Sequence, residues 1–483
     1  MNSAYNLKDV LRYLMMVVGI CALMMPTKGA GFLVLVVFTL LALFRKESTQ
    51  LVWGLLLANA ILVMNGFFAP KDFVFGISHR ALLVMAGGYG TLLFLSRKPN
   101  RYVKPLMGIL LYLAYMIIPS SIGWEPTISF LKMLLFLSVY MALAYASNSA
   151  SGDGRVDTRK LRAMMLALAV FFIVGSVLVA PFPAISNMTS LEVLESGADL
   201  TSLYKGACNH SQTLGMVMAF WVIFLFADLI FHVQKFDKLY VFLILCALGL
   251  LYKSSGRTAM GTMIACCGFA YLFFRKYRGN IRAGWRAKLS LAVTVLVILG
   301  GFAAIAVPQI RDGVVRFAMK YDRTAGAGDF DVEYAISTRQ GLVDEQLYNF
   351  HRRPAIGWGF QVSEEVAEMS KESKGLLLSA PVEKGVWITA ILEEGGVCGE
   401  IIYVVYMIIA IVLLYARRAF MGLTIFLALH ISNLGEMTMF SMSGCGGMWY
   451  TFLFIALIFD AKRIQANAFR QQGYYRSSIN PVW

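Results

Sequence analysis

The feature that most constrains this chain is the recurrence of apolar runs long enough to cross a bilayer. A transmembrane helix needs roughly 17–25 predominantly apolar residues. Such runs fall near 11–25, 30–44, 51–69, 81–96, 104–122, 127–147, 161–181, 211–232, 238–253, 257–275, 287–307, 386–416, 419–434 and 446–461. They leave no stretch for a soluble domain of useful size. The expected fold is an all-α polytopic integral membrane protein of about fourteen transmembrane helices, with one large extracytoplasmic loop containing short amphipathic helices. Composition agrees: 58% of the 483 residues are hydrophobic and 15% are charged, where soluble domains carry about 25% charged residues.

The first apolar run ends "CALMMPTKGAG" without a small-x-small cleavage site, so it reads as a retained helix. The net charge of +15 is explained by helix flanks rather than by nucleic acid. The clusters "RKPNRYVK" (97–104), "GRVDTRKLR" (154–162), "RKYRGNIRAGWRAK" (275–288) and "ARR" (416–418) fall on one side, with both termini. Short loops rich in Lys and Arg are cytoplasmic. The loop 308–385 is then extracytoplasmic. The chain reads as N-terminal membrane helices (1–200), a second membrane region (201–461) containing that loop, and a cytoplasmic tail (462–483).

The seven cysteines show no metal-ligand spacing. Cys21, Cys246, Cys266 and Cys267 lie in apolar runs and read as small packing residues. Cys208, Cys398 and Cys445 fall toward the oxidising side, and the sequence leaves their pairing open. No phosphate-cradling glycine loop, HExxH or nucleophile elbow is present.

Chemistry-bearing residues gather at the outer face. In "EYAISTRQGLVDEQLYNFHRRP" (333–354) Ile336, Val343, Leu347 and Phe350 fall on one helical stripe, which also carries Arg339. An amphipathic helix lying on the outer membrane surface fits this pattern. Arg339 then either snorkels to headgroups or grips an anion, since a guanidinium binds phosphate oxygens bidentately and keeps its charge. The following "HRRPAIGWGF" (351–360) presents His351, Arg352 and Arg353 before a stiff Pro-Gly turn. Lys205 and His210 occur in "YKGACNHSQTLG" (204–215), and Lys253 and Arg257 in "KSSGRTAMG" (253–261). Arg257 is either an interfacial anchor or part of an anion site at a helix N-terminus. In "PVEKGVWITAILEEGGVCGE" (381–400), Glu383, Glu393, Glu394 and Glu400 enter an apolar run that Gly395, Gly396 and Gly399 would loosen. Each carboxylate is a helix-cap or bend residue, or one that accepts a proton from an alcohol.

Four segments in order resemble the O-antigen ligase and polymerase superfamily: "G-x-x-x-H-S-Q-T-L-G" (206–215), "S-S-G-R-T" (254–258), "T-R-Q…N-F-H-R-R-P-A-I-G-W-G-F" (338–360) and "E-K-G…L-E-E-G-G-V-C-G" (383–399). The resemblance covers roughly residues 200–420. It implies transfer of saccharide units from an undecaprenyl-diphosphate carrier to a sugar hydroxyl at the outer face of a bacterial inner membrane, without nucleotide, metal or other cofactor. The implied partners are the lipid-linked oligosaccharide, a sugar acceptor, membrane lipids, and chain-length regulator and flippase proteins. The family's arginine role carries over onto Arg257 and Arg339, with Arg352, Arg353, Lys205, His210 and Lys384 as further substrate-binding candidates. Family ligases have a His-Asn pair where this chain has Glu383-Lys384-Gly385. That makes Glu383 the candidate base, with His351 behind it, and favours polymerisation over ligation to lipid A core or protein. A secondary transporter or flippase is the rival class, for which Lys132, inside a span, would be a transport residue unless it snorkels.

Overall fold

The computed structural model describes residues 4–25, 30–70, 73–95, 98–152, 157–188, 204–233, 236–254, 256–276, 332–364, 386–435, 437–441 and 444–479. Among these residues the chain is helical and forms no strand; two isolated bridges, Met64 with Cys208 and Asn187 with Tyr204, join loops. The helices are α1 (Leu7–Met24), α2 (Ala30–Phe44), α3 (Ser48–Val63), α4 (Phe73–Leu95), α5 (Ile109–Ile122, after a 3₁₀ turn Lys104–Gly108), α6 (Pro126–Gly152), α7 (Thr158–Val179) and α8 (Pro183–Ser186). They continue as α9 (Ser211–Phe231), α10 (Lys238–Lys253), α11 (Arg257–Lys276), α12 (Val332–Arg352), α13 (Trp387–Ala416), α14 (Phe420–Ser432) and α15 (Cys445–Ile479). Each expected span coincides with a helix except 287–307, which lies outside the described residues. Among the described residues, seven helices are long and apolar enough to cross a membrane, and four shorter apolar helices accompany them. The protein is therefore a helical membrane protein by length and composition.

Helix starts follow side-chain chemistry. Asn6 caps α1, Asp157 caps α7 and Asp237 caps α10, each side chain accepting from backbone N–H groups of the first turn. At the centre, α9 is buried on nearly every side, and Trp221, Phe224 and Phe452 pack where it meets α15. Helices α4 and α6 approach through small residues: a Cβ on Gly87 would meet Ser138, and one on Gly90 would meet Ala142.

Contacts define two ends of the bundle. One end holds Tyr5, whose hydroxyl bonds Asp237, Arg417 bonded to the Arg101 carbonyl, and Arg463 bonded to the Arg418 carbonyl. The other holds Asn65 tied to Gly206 and Ile185, and Trp387 N–H bonded to Asn433. The segment expected as a tail begins inside α15, which runs on to Ile479.

Lys132 neither snorkels nor stands free. It is buried and its Nζ donates to the Gln361 carbonyl at 2.8 Å.

Candidate functional site

Helix α13 is broken. Gly396 has φ 63° and ψ −169°, so the ladder stops after Glu394 and restarts at Val397. A break strands carbonyls on one side and N–H groups on the other, and at membrane depth such groups must be matched within the protein. The residues after α12 do this. Trp358 N–H donates to the Glu393 carbonyl at 3.0 Å and Gly359 N–H to the Glu394 carbonyl at 2.9 Å. In return Val397 N–H donates to Pro354 at 2.8 Å and Cys398 N–H to Ala355 at 3.3 Å. The 354–359 strap thus takes the place of the missing turn.

Two glycines permit this splice. A Cβ on Gly357, where φ is 68°, would lie 2.4 Å from the Glu394 carbonyl carbon, and one on Gly396 would lie 2.4 Å from that of Ala355. The loosening expected of the glycine run is a complete break.

Beyond the splice the strap is anchored in the core. Phe360 N–H donates to Ser120 Oγ at 3.1 Å, and the Ser129 hydroxyl lies 2.7 Å from Ser120 Oγ and 3.0 Å from the Phe360 carbonyl. Lys132 holds the next carbonyl. Trp358 stacks on Trp124, ring centroids 4.4 Å apart and planes within 8°. Both arginines of the "HRRP" run lie against that indole, the Arg353 guanidinium carbon 4.7 Å and the Arg352 carbon 5.0 Å from the Trp358 centroid. Arg353 also donates to the Ile122 carbonyl at 2.9 Å, and Arg352 pairs with Glu364 at 3.0 Å in an exposed contact.

Helix α12 packs on the first half of α13, and its most buried side chains are polar. Gln346 and Asn349 are buried, whereas Val343, Leu347 and Phe350 are only half-buried. The apolar stripe is therefore not the inward face. The reason is the partner: Thr389 Oγ1 donates to Gln346 Oε1, and Asn349 Nδ2 donates to Glu393 Oε1 at 2.8 Å. Trp358 Nε1 donates to the Asn349 carbonyl at 2.7 Å.

A second group forms around the start of α9. Lys205 is buried, and its backbone N–H bonds the Ser186 carbonyl. The Lys253 ammonium lies 4.2 Å from the Tyr204 ring centroid. Burial pushes the Tyr204 phenol up to about 12, so that contact is cation–π rather than an ion pair. His210 is the N-cap of α9, its Nδ1 accepting from Gln212 N–H at 3.1 Å. Arg257 opens α11, where Gly215 and Gly256 bring α9 and α11 together.

The structure thus brings Arg352 and Arg353 to one indole, and Lys205, His210 and Arg257 to the α9–α11 corner. It turns His351 back onto its own helix, Nδ1 lying 2.6 Å from the Leu347 carbonyl. The Arg339 side chain and all of Glu383 and Lys384 lie outside the described residues. Sequence reading missed Trp124, Ser120, Ser129 and Asn349. "G-W-E-P" at 123–126, a tryptophan in a turn at a span end, was the available signal for the first. Among the described residues no group of His, Cys, Asp and Glu could hold a metal ion. No protein-family model matches the chain, and no curated protein matches it.

Proposed function

We propose that the protein is a glycosyltransferase of the O-antigen ligase and polymerase type, extending an exopolysaccharide or O-antigen chain from an undecaprenyl-diphosphate carrier. The observation that carries this reading is the pair of guanidiniums held against Trp358 at the splice. Stacking fixes the plane of a guanidinium while leaving its edge available for bidentate oxygens. A diphosphate leaving group presents such oxygens, and neutralising its developing charge lowers the barrier to transfer. Lys205 and Arg257, at the same end of the bundle, add positive charge. The acceptor hydroxyl needs a base, for which Glu383 and Glu393 are the candidates.

The break in α13 also bears on the transporter alternative. Discontinuous helices in transporters offer their freed backbone groups to substrate and ions. Here four such groups are matched by the chain's own strap, which favours a scaffold over a transport site. In this reading the splice end faces outside the cytoplasm and both termini face inside. Impermeant cysteine labelling at positions 370 and 478, in a cysteine-free background, should modify only the first. Labelling of position 478 alone would reverse the topology.

The glycan profile of a strain lacking the protein tests the function. Accumulation of single lipid-linked repeat units is expected. Long chains left on the carrier would indicate a ligase, and an unchanged profile would refute both.

A further inference from the structure

Asn349 and Glu393 face each other across the seam of α12 and α13, both more than nine-tenths buried. The Asn349 amide nitrogen faces the carboxylate, donating to Glu393 Oε1 at 2.8 Å. The other amide atom, Oδ1, is buried and has no hydrogen-bond partner. Leaving a buried acceptor unmatched is costly, and native structures retain few such groups without a missing partner to explain them. What would satisfy this one is a hydrogen-bond donor, and a hydroxyl is one.

One indole links this acceptor to the arginine pair. The Trp358 ring lies against Arg352 and Arg353, and its N–H holds the carbonyl of Asn349 itself.

We infer that Glu393 is the proton acceptor for the hydroxyl of the acceptor sugar, and that Asn349 positions that hydroxyl through Oδ1. The inference rests on the glycosyl-transfer reading. In the step, the acceptor oxygen bonds to C1 of the donor sugar while its proton passes to Glu393. The C1–O bond to phosphate breaks, and the electron pair leaves with the lipid diphosphate. Glu393 then returns the proton to water.

The test uses full-length protein in vesicles containing undecaprenyl-diphosphate-linked oligosaccharide extracted from the deletion strain. Glu393→Gln keeps the shape and the bond from Asn349 but cannot take a proton. Its kcat should fall on the order of 100-fold or more, the range of general bases, with KM for the lipid-linked substrate and Tm unchanged. Asn349→Ser keeps a donor toward Glu393 and should raise KM for the acceptor at unchanged Tm. Wild-type protein that extends no chain would refute the glycosyl-transfer reading itself. Normal turnover in Glu393→Gln beside an active wild type would overturn this inference alone. A loss of turnover matched by a lowered Tm would assign the pair to helix clamping and overturn it as well.

Discussion

The two ends of the bundle handle charge in opposite ways. At the end holding the termini, Arg162 bonds both oxygens of Asp228, at 2.7 and 2.9 Å, and Tyr240 donates to the same carboxylate at 2.6 Å. His232 bridges onward, 3.4 Å from Asp228 and 3.2 Å from Asp460, and Asp460 accepts from Gly422 N–H at 2.8 Å. Arg162 and Asp228 are side by side and buried, and the contacts around the two aspartates tie α7, α9, α10, α14 and α15 together. At the splice end, the two arginines lie on an aromatic face, and the ion pair there, Arg352 with Glu364, is exposed. Closed ion pairs hold helices in place; cations on an indole remain able to meet an anion.

The sharpest way to break this contrast is to remove one member of a closed pair. Asp228→Asn leaves a buried guanidinium without its counter-charge, and breaking such a pair costs about 3–5 kcal/mol. Thermal unfolding in detergent should show a large fall in Tm or no folded protein at all. An unchanged Tm would mean that the terminal end is not held by these charges.

The splice comes next. Gly396→Ala places a methyl against the Ala355 backbone at a left-handed φ, a strain of about 2–3 kcal/mol. Release of the strap should speed trypsin cleavage after Arg352, and the rate of cleavage there measures it; Arg353 precedes Pro354 and is not a trypsin site. Cleavage no faster than in wild type would show that the break tolerates a side chain.

Lys132→Met removes a charged donor from the Gln361 carbonyl, worth about 1.5–2 kcal/mol. Tm should fall accordingly and cleavage after Arg352 should rise in part. A variant as stable as wild type would return Lys132 to a role unrelated to the strap. The smallest stability effect belongs to Arg352→Ala, since its partner Glu364 is exposed and such pairs contribute about 0–1 kcal/mol. Turnover should nonetheless fall, and that dissociation of stability from activity is what the contrast between the ends requires.

Much of the frame was legible in sequence because its determinants are local. The 16-residue run expected over 238–253 is helix α10, and the segment 333–354 is helix α12, found at Val332–Arg352. The glycines at 395, 396 and 399 announced a weak point in α13. The splice itself was not legible, because it joins residues 354–359 to 393–398 through backbone atoms that carry no side-chain signature. For the same reason Lys132 read as a lone charge: its partner is a carbonyl 229 positions away. The polar face that α12 turns to α13 was not legible, because apolar periodicity finds a face that seeks apolar surroundings, while Gln346 and Asn349 are buried by polar partners on α13. Arg162 was counted among flanking charges, although it is buried against Asp228, a residue 66 positions on.

The central claim is that the stacked arginines serve an anionic carrier rather than the architecture. It is tested most directly by turnover of Arg353→Lys in vesicles containing undecaprenyl-diphosphate-linked oligosaccharide, with Tm measured on the same preparation. A lysine keeps the charge but loses the planar fork. The expected result is a loss on the order of 100-fold in kcat, comparable to removing one oxyanion donor, at an unchanged Tm. Wild-type turnover in that variant would contradict the account.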